Sequence, residues 1–288
     1  MAEISIAPFR HGLFHSDLSE VVMLYNAALA DVHGFFPVSA PLFLERIVKD
    51  RNFVPGLFLL ARVDGRLAGM IHGGILREPY YDEGAVVEMV AVHPECRQQG
   101  IGRKLLTALT EKLSSFKLID AGGAYPFSIF YATLLDGSER SGIDMENKAA
   151  LRLYCHGGFE LARFSLIMNA DLRQELPPLA PQLEERKSEA RISIESRRRE
   201  ETWLDHVFRG WELFDSRLAP RGGGEAFSRA IYARMPERSQ REGRNFSAIL
   251  GVNTPDNLRG QGWASIHFRL LREHLRKLGA DVLELHVY

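Results

Sequence analysis

The sequence has 288 residues, enough for two domains of ordinary size at roughly 150 residues each. Hydrophobic residues make up 45%, aromatic residues 10% and charged residues 25%, which are ordinary globular values and exclude a disordered, coiled-coil or collagen-like chain. The 36 basic and 37 acidic residues give a formal net charge of −1. A charge this small produces no overall field that would attract nucleic acid or acidic membranes.

Hydrophobic periodicity predicts helices and strands alternating along the first part of the chain. The predicted segments are a strand at 4–6, helices at 17–30 and 40–48, strands at 56–63, 67–76 and 86–92, a helix at 102–113, a strand at 118–121, a helix at 147–156 and a strand at 159–168. The dipeptide Asp64-Gly65 joins two of these strands and favours a tight hairpin, because glycine tolerates a positive φ. The overall fold class is therefore α/β, with a mixed sheet in an α+β arrangement.

The two cysteines, Cys96 and Cys155, stand far apart and outside any metal-ligand spacing. Neither a disulfide framework nor a metal site is therefore expected. The amino terminus has no leader pattern, and no segment approaches the roughly 18 apolar residues of a membrane span. We expect a soluble, cytoplasmic protein without nucleic-acid or membrane partners.

The composition changes abruptly at residues 171–191, where prolines and charged residues accumulate. Residues 172–190 of this stretch read LRQELPPLAPQLEERKSEA. Prolines remove backbone donors and charges are costly to bury, so this stretch is predicted to be a linker. The predicted domains are 1–170 and 192–288.

The second domain repeats features of the first. Ile4-Ser5-Ile6 recurs as Ile192-Ser193-Ile194, and the loop at 97–102 is echoed at 259–264. The distance from the first of these features to the second is 93 residues in the first copy and 67 in the second. We therefore expect the second copy to lack a hairpin like the one at Asp64-Gly65.

Two glycines between a predicted strand and a predicted helix are typical of a phosphate site. Gly100 and Gly102 allow close approach of a ligand, and the N–H groups at the helix start favour negative charge. Arg97 and Arg103 can add ion pairing. Leu105 stands where the third glycine of a dinucleotide-binding fingerprint would be, and no P-loop is present, which argues against a Rossmann dehydrogenase and a P-loop NTPase.

The whole stretch 86–113, VVEMVAVHPECRQQGIGRKLLTALTEKL, resembles the acetyl-CoA-binding motif of the GNAT superfamily of N-acetyltransferases, whose core is R/Q-x-x-G-x-G/A. Downstream, 147–159 (NKAALRLYCHGGF) resembles the family's N-x-x-A-x-x-L-Y-x-x-x-G-F element. The resemblance covers 3–170 well and 191–288 in part. It implies two GNAT-like acyl-CoA N-acyltransferase folds in tandem, the second one shortened.

The resemblance also implies where acetyl-CoA, the co-substrate, binds. The implied binding residues lie along the strand, in the loop and at two helix starts: Met89, Val90, Ala91, Val92, Arg97, Gln98, Gln99, Gly100, Ile101, Gly102, Arg103 and Asn147. The N–H of Val92 can also face the thioester oxygen. For Asn147, a role as helix N-cap only is an equal alternative.

Two residues are implied as catalytic. Tyr154 holds the motif position near the cofactor sulfur, where a phenol can protonate the leaving thiolate; its alternative is a tyrosine that only packs on a helix face. Glu88 is the candidate general base, because it shares strand parity with Val90 and Val92. A β-bulge would break that parity, and a solvated carboxylate or a water chain are the alternatives.

The second copy shows two departures from the first. Val252 lies seven residues before Arg259, whereas Val92 lies five before Arg97, which predicts a loop two residues longer. No residue corresponds to Tyr154, so weaker cofactor binding is expected. The open sheet edge that this leaves is expected to pack against the first domain or to form a homodimer contact.

The implied function is an N-acetyltransferase that transfers an acetyl group directly from acetyl-CoA to an amine in a ternary complex. The acceptor is a small-molecule amine or a peptide. The alternative is a non-catalytic acyl-CoA-binding or scaffold module. Aromatic clusters such as Phe35-Phe36-Pro37 are typical of acceptor-pocket walls and equally of satellite cores.

Overall fold

The computed structural model describes residues 3–12, 17–32, 35, 37–76, 84–122, 130, 131, 134, 138, 142–162, 164–198 and 202–287. The chain divides into two compact units, Met1–Ala162 and Arg163–Tyr288. The strand that begins at Leu166 and the segment predicted as a linker thus both lie in the second unit.

The first unit contains a five-stranded sheet in the order β1-β2-β3-β4-β5. Its elements are β1 (Ile4–Pro8), α1 (Leu18–Leu29), α2 (Ala40–Phe43), β2 (Phe58–Val63), β3 (Arg66–Leu76), β4 (Gly84–Val92), α3 (Ile101–Lys112), β5 (Leu118–Ala121) and α4 (Lys148–His156). All neighbouring strands are antiparallel except β4 and β5, which are parallel. The predicted hairpin is present: Asp64 and Gly65 both have positive φ, +47° and +80°, as a turn that follows the twist of the strands requires.

Alternate residues of the sheet face two hydrophobic clusters. Phe58, Leu60 and Met70 belong to the cluster with α1 and α2, whereas Leu59 and Ile71 belong to the cluster with α3. The predicted leucine stripe of α3 is fully used, since all four of its members are buried: Leu105, Leu106, Leu109 and Leu113. Helix α4 packs on α3, where Gly157 leaves the room that the Leu106 side chain fills.

The second unit contains a six-stranded sheet in the order β6-β11-β10-β9-β8-β7. Its elements are β6 (Leu166–Asp171), α5 (Pro181–Glu189), β7 (Ala190–Ser196), α6 (Trp203–Val207), β8 (Leu213–Pro220), β9 (Ser228–Arg234), α7 (Pro236–Glu242), β10 (Phe246–Asn253), α8 (Trp263–Lys277) and β11 (Val282–Val287). The strands β7 to β11 repeat the order and directions of β1 to β5, with β10 and β11 as the parallel pair. The two units therefore have the same α/β fold.

The expectation of a missing hairpin is wrong. Strands β8 and β9 form it, joined through residues 221–227. The second copy is shorter because residues 197–212 connect its first two strands, whereas residues 9–57 do so in the first unit. The shortening thus removes helical chain and leaves the sheet complete.

The edge of β11 is covered within the same unit. Strand β6 pairs antiparallel with β11 from Leu166↔Val287 to Asp171↔Val282. The edge of β11 therefore needs no other domain or second copy to cover it, because the preceding chain supplies the hydrogen-bonding partner. The contact with the first domain or with a second copy stays a prediction.

The segment at 171–191 is docked on its own unit and holds the helix α5. Arg272 donates to the carbonyl of Asp171 at 2.8 Å, and Arg269 donates to that of Pro177. The Leu183 side chain occupies the space that a side chain at Gly262 would need. Leu172 is buried and Leu179 and Leu183 pack on the core of the unit, while most charged residues of the segment are exposed, which composition alone does not reveal.

Candidate functional site

The parallel strands β4 and β5 separate at the carboxyl end of β4. Their pairing runs from Gly84↔Leu118 to Val87↔Ala121, and the N–H of Gly122 then donates to the carbonyl of Val87 at 3.1 Å. In the described chain no strand pairs with the β5 side of β4 between Met89 and Val92. A row of backbone groups therefore faces an opening between the two strands.

A β-bulge in β4 lies at this opening. His72 pairs with Met89 and Gly73 pairs with Val87, which leaves Glu88 as the extra residue. A Cβ at Gly74 would lie 3.6 Å from the Glu88 Oε1 atom and 3.4 Å from the Phe130 ring, whereas Val90 and Val92 pack in the α3 cluster. The parity argument for Glu88 is therefore wrong: the bulge turns its side chain to the face opposite that of Val90 and Val92.

Glu88 is a carboxyl group inside the protein, with 2% of its surface exposed. Its negative charge adds to the effect of burial in raising the pKa of the Tyr131 and Tyr154 phenols. The carboxylate therefore lies within electrostatic reach of both tyrosines. Burial of an ionisable group beside other titratable groups is typical of sites that move protons.

The loop after β4 forms a cradle of backbone N–H groups. Gln98 has φ +62° and Gly100 has φ +79°, and the space that a Gly100 side chain would take is open. The first helical bond of α3 runs from the N–H of Lys104 to the carbonyl of Gly100 at 3.0 Å, so the preceding N–H groups have no partner within the helix. Such a cradle suits a phosphate or pyrophosphate group.

The other glycine of the motif has a different role. Gly102 lies inside α3, where a Cβ would meet the Leu153 side chain of α4 at 3.4 Å. It thus permits α3 and α4 to pack closely. Ile101 is buried, and Arg103 is exposed on the first turn of the helix.

Arg97 and Gln99 bind the protein itself. The Arg97 guanidinium donates to the carbonyl of Ala28 at 2.7 Å and to that of Val92 at 3.3 Å. Gln99 donates to the carbonyl of Glu95 at 3.3 Å. Both side chains therefore brace the loop.

Tyr154 lies on the buried side of α4, with 7% of its surface exposed. Burial, with a contribution from the Glu88 charge, raises its pKa well above the ordinary value, so the phenol stays protonated. The Phe159 ring meets it edge-on at 5.5 Å.

Asn147 is the N-cap of α4 and accepts from the N–H of Ala150 at 3.0 Å. The neighbouring Cys155 and the loop residue Cys96 are free thiols.

Sequence reasoning missed Tyr131, which forms a buried polar pair with His72. The Nδ1 atom of His72 lies 3.1 Å from the hydroxyl of Tyr131, and both side chains are wholly buried. Burial lowers the pKa of His72 to about 3, partly opposed by the Asp50 charge, so the imidazole is neutral. Tyr131 lies ten residues after β5, in a stretch of the sequence that is rich in aromatic residues. That enrichment is the sequence feature that could have indicated this buried pair.

In the second unit, an equivalent loop follows strand β10. Arg259 donates to the carbonyl of Thr254 at 3.3 Å, as Arg97 does to Val92, and Gly262 has φ +84° where Gly100 has +79°. The loops are therefore equal in length, and the expected two-residue extension is wrong: Thr254, not Val252, corresponds to Val92. A depression of about 340 Å³ lies at this loop.

The part of the chain that the structure describes holds neither a metal-binding cluster nor a membrane-spanning helix. No cluster of three or more His, Cys, Asp or Glu side chains is placed there to hold a metal ion. No helix in that part is long and apolar enough to cross a membrane.

Comparison with known proteins agrees with this geometry. Residues 23–121 match the family described as "Acetyltransferase (GNAT) family". No curated protein matches the sequence significantly.

Among solved structures, a GCN5-related glucosamine N-acetyltransferase region of a fungal multi-domain β-N-acetylglucosaminidase superposes with a TM-score of 0.68 at 16% identity. It covers 100% of this chain, and this chain spans only 35% of that protein. A tandem GNAT protein from the clavulanic acid biosynthesis pathway has a TM-score of 0.58 at 14% identity, with 99% of this chain and 90% of that one covered. A GCN5-related N-acetyltransferase from Sphaerobacter thermophilus has 0.57 at 15%, with 99% and 86% covered. Likeness at these identities establishes the fold.

Proposed function

We propose that the first unit, whose residues 23–121 match the GNAT acetyltransferase family, is an N-acetyltransferase, and that the second unit is a further copy of the same fold, as in the tandem GNAT protein of similar structure. The first unit transfers an acetyl group from acetyl-CoA to an amine, directly and within a ternary complex. The acceptor is a small-molecule amine or a peptide amine.

The residues of the first unit fit acetyl-CoA. The open cradle formed by residues 98–103 suits the pyrophosphate, and the space beside Gly100 stays free for it. The unpaired side of Met89 to Val92 can add the amide-containing arm like a short strand. Because the N–H of His93 donates to Ala68 on β3, the alternation of a strand turns the N–H of Val92 toward the opening. That group can donate to the thioester oxygen.

Acetyl-CoA, when bound, supplies the acetyl group activated as a thioester. Glu88 accepts the proton that the amine loses as its nitrogen forms the bond to the acetyl carbon. Tyr154 donates its phenolic proton to the sulfur as the carbon–sulfur bond breaks, and it recovers a proton through solvent exchange. The balance is one amide and one thiol formed from one thioester and one amine.

One observation supports this proposal: β4 and β5 separate next to Glu88, on the strand that leads into the loop, and the Glu88 charge contributes to raising the pKa of Tyr154. The second unit has the loop and the separated strands but Leu250 at the bulge where the first has Glu88. We therefore assign catalysis to the first unit, 1–162, and weaker or no cofactor turnover to the second.

Thiol release from acetyl-CoA, measured with a panel of amines, tests the proposal. The panel includes glucosamine, because the fungal region of similar fold is described as a glucosamine N-acetyltransferase, together with peptide amino termini. We expect turnover with at least one amine and loss of turnover in Tyr154→Phe and Glu88→Gln. Tight CoA binding with no turnover on any amine would instead identify a non-catalytic acyl-CoA-binding module.

A further inference from the structure

Arg97 forms a connection that the phosphate-binding role does not explain. Its Nη2 atom donates to the carbonyl of Ala28 at 2.7 Å, and its Nε atom donates to the carbonyl of Val92 at 3.3 Å. Ala28 lies in the last turn of α1 and is 7% exposed. One side chain thus joins the start of the cofactor loop, the end of β4 and the end of α1.

Arg97 supplies a hydrogen-bond donor and a positive charge at the carboxyl end of α1. The last four carbonyls of a helix have no partner within the helix, and a cation is favourable there. Helix α1 carries no basic residue in its own last turn, so the charge comes from the loop. A charge-assisted bond of this kind is stronger than an ordinary one.

The second unit provides an internal comparison. Arg259 occupies the same loop position and makes the same bond to the strand, from Nε to the carbonyl of Thr254 at 3.3 Å. Its Nη2 atom pairs instead with Asp256 at 3.0 Å, and both of these side chains are exposed. The position of Asp256 is held in the first unit by Pro94, whose side chain cannot pair with the guanidinium. The bond to a helix is therefore a feature of the first unit.

Helix α1 in turn holds the segment that follows it. The Asn26 side chain donates to the carbonyl of Val38 at 3.0 Å and accepts from the N–H of Val38 at 2.9 Å. The ring of Phe35 lies 5.9 Å from that of Tyr25. This segment and Tyr25 belong to the cluster on the Phe130 face, which is the face of Glu88.

We propose that Arg97 is a positioning residue that couples the loop at 97–102 to α1 and to the segment around Val38 on the Glu88 face of the sheet, rather than a ligand of the pyrophosphate. The proposal rests on the proposed function, since it takes the loop to bind CoA. Binding of CoA at the loop then steadies the segment around Val38 through Arg97.

Amide hydrogen exchange on the full chain, with and without saturating CoA, tests this coupling. The reporters are the amides of Val32 and Val38, whose hydrogen bonds lie just beyond Ala28. In Arg97→Gln we expect both to exchange about tenfold faster without CoA, as loss of a charge-assisted bond predicts. In the native chain CoA slows their exchange, and in Arg97→Gln it does not. The matched control, Arg259→Gln, leaves the reporters unchanged.

Calorimetric titration with CoA separates the two roles of Arg97. We expect the Kd of Arg97→Gln to stay within about threefold of the native value, because the backbone supplies the phosphate contacts. A Kd raised tenfold or more, with unchanged reporter exchange, would make Arg97 a phosphate ligand and overturn the proposal. If CoA does not bind the native chain, the proposed function fails and the coupling with it. If CoA binds but does not slow the reporters, only the coupling fails.

Discussion

Glu88 and Leu250 are the extra residues of the same β-bulge in two copies of one sheet. Each lies on the strand that leads into the glycine loop, next to the point where that strand parts from its parallel neighbour. The two copies thus agree in backbone at this bulge and differ there in whether the side chain can accept a proton. This difference supports the proposed assignment of catalysis to the first unit.

Glu88→Gln is expected to lower kcat about 100-fold, because the amide is similar in shape but cannot accept the amine proton. The dissociation constant for CoA should stay close to the native value, since the loop is untouched. Steady-state kinetics with the best amine of the panel, together with calorimetry, measure both.

The matched control is Leu250→Gln, which places the same amide at the same bulge of the other copy. Its kcat should equal that of the native chain. A loss of turnover in Leu250→Gln comparable to that in Glu88→Gln would place chemistry in the second unit and contradict the assignment.

Tyr154→Phe is expected to lower kcat about 100-fold, through loss of the proton donor, while the ring still packs against Phe159. Because burial and the Glu88 charge raise the pKa of Tyr154, the phenol stays protonated across neutral and mildly alkaline pH. The ratio of native to variant kcat should therefore be constant between about pH 6 and pH 9. A ratio that shrinks toward pH 9 would show that the phenol ionises there, contrary to this prediction.

The first unit should lose stability in mild acid through His72. Burial lowers its pKa to about 3, whereas in the unfolded chain the value is about 6.5. Between these two pKa values the unfolded state binds more protons than the folded state. The free energy of unfolding present above about pH 6.5 therefore decreases as the pH falls toward 3, and the loss is about 3 kcal/mol at pH 4. Denaturant unfolding across this range should show a flatter dependence on pH in His72→Gln.

The second unit offers a parallel test. Burial lowers the pKa of His267 to about 4. His267→Gln should flatten the acid dependence of the second unit and leave that of the first unchanged. Unfolding curves with the same acid dependence in His72→Gln as in the native chain would refute a buried neutral imidazole at that position.

The two glycines of the loop should respond differently to alanine. Gly100→Ala places a side chain at φ +79° and should weaken CoA binding and destabilise the first unit by about 1 kcal/mol. Gly102 is helical, its added Cβ would meet Leu153 at 3.4 Å, and the second copy has Ala264 at that position. Gly102→Ala should therefore bind CoA about as well as the native chain. Calorimetry measures the affinity for CoA in both variants. An equal loss of affinity in the two variants would contradict the predicted difference between the glycines.

Local patterns were sufficient where the physics is local. The leucine stripe of α3 follows from helical periodicity, and the turn at Asp64-Gly65 follows from the backbone freedom of glycine. The loop from Arg97 to Gly102 could be recognised because its residues are adjacent in sequence. Glu88 was placed on the wrong face because a bulge is set by pairing with β3, which no pattern within β4 reveals.

The sequence by itself determined that two unequal copies of one α/β fold follow each other, and where the glycine loop and the helix after it begin. These features depend on periodicity, on glycine and on motif order. Only the tertiary structure decided that β6 completes the second sheet, that α5 docks on Gly262, that Leu250 replaces Glu88 and that Arg97 binds the carbonyl of Ala28. Each of these depends on contacts between residues far apart in the chain, where strand pairing and packing decide which side chains meet.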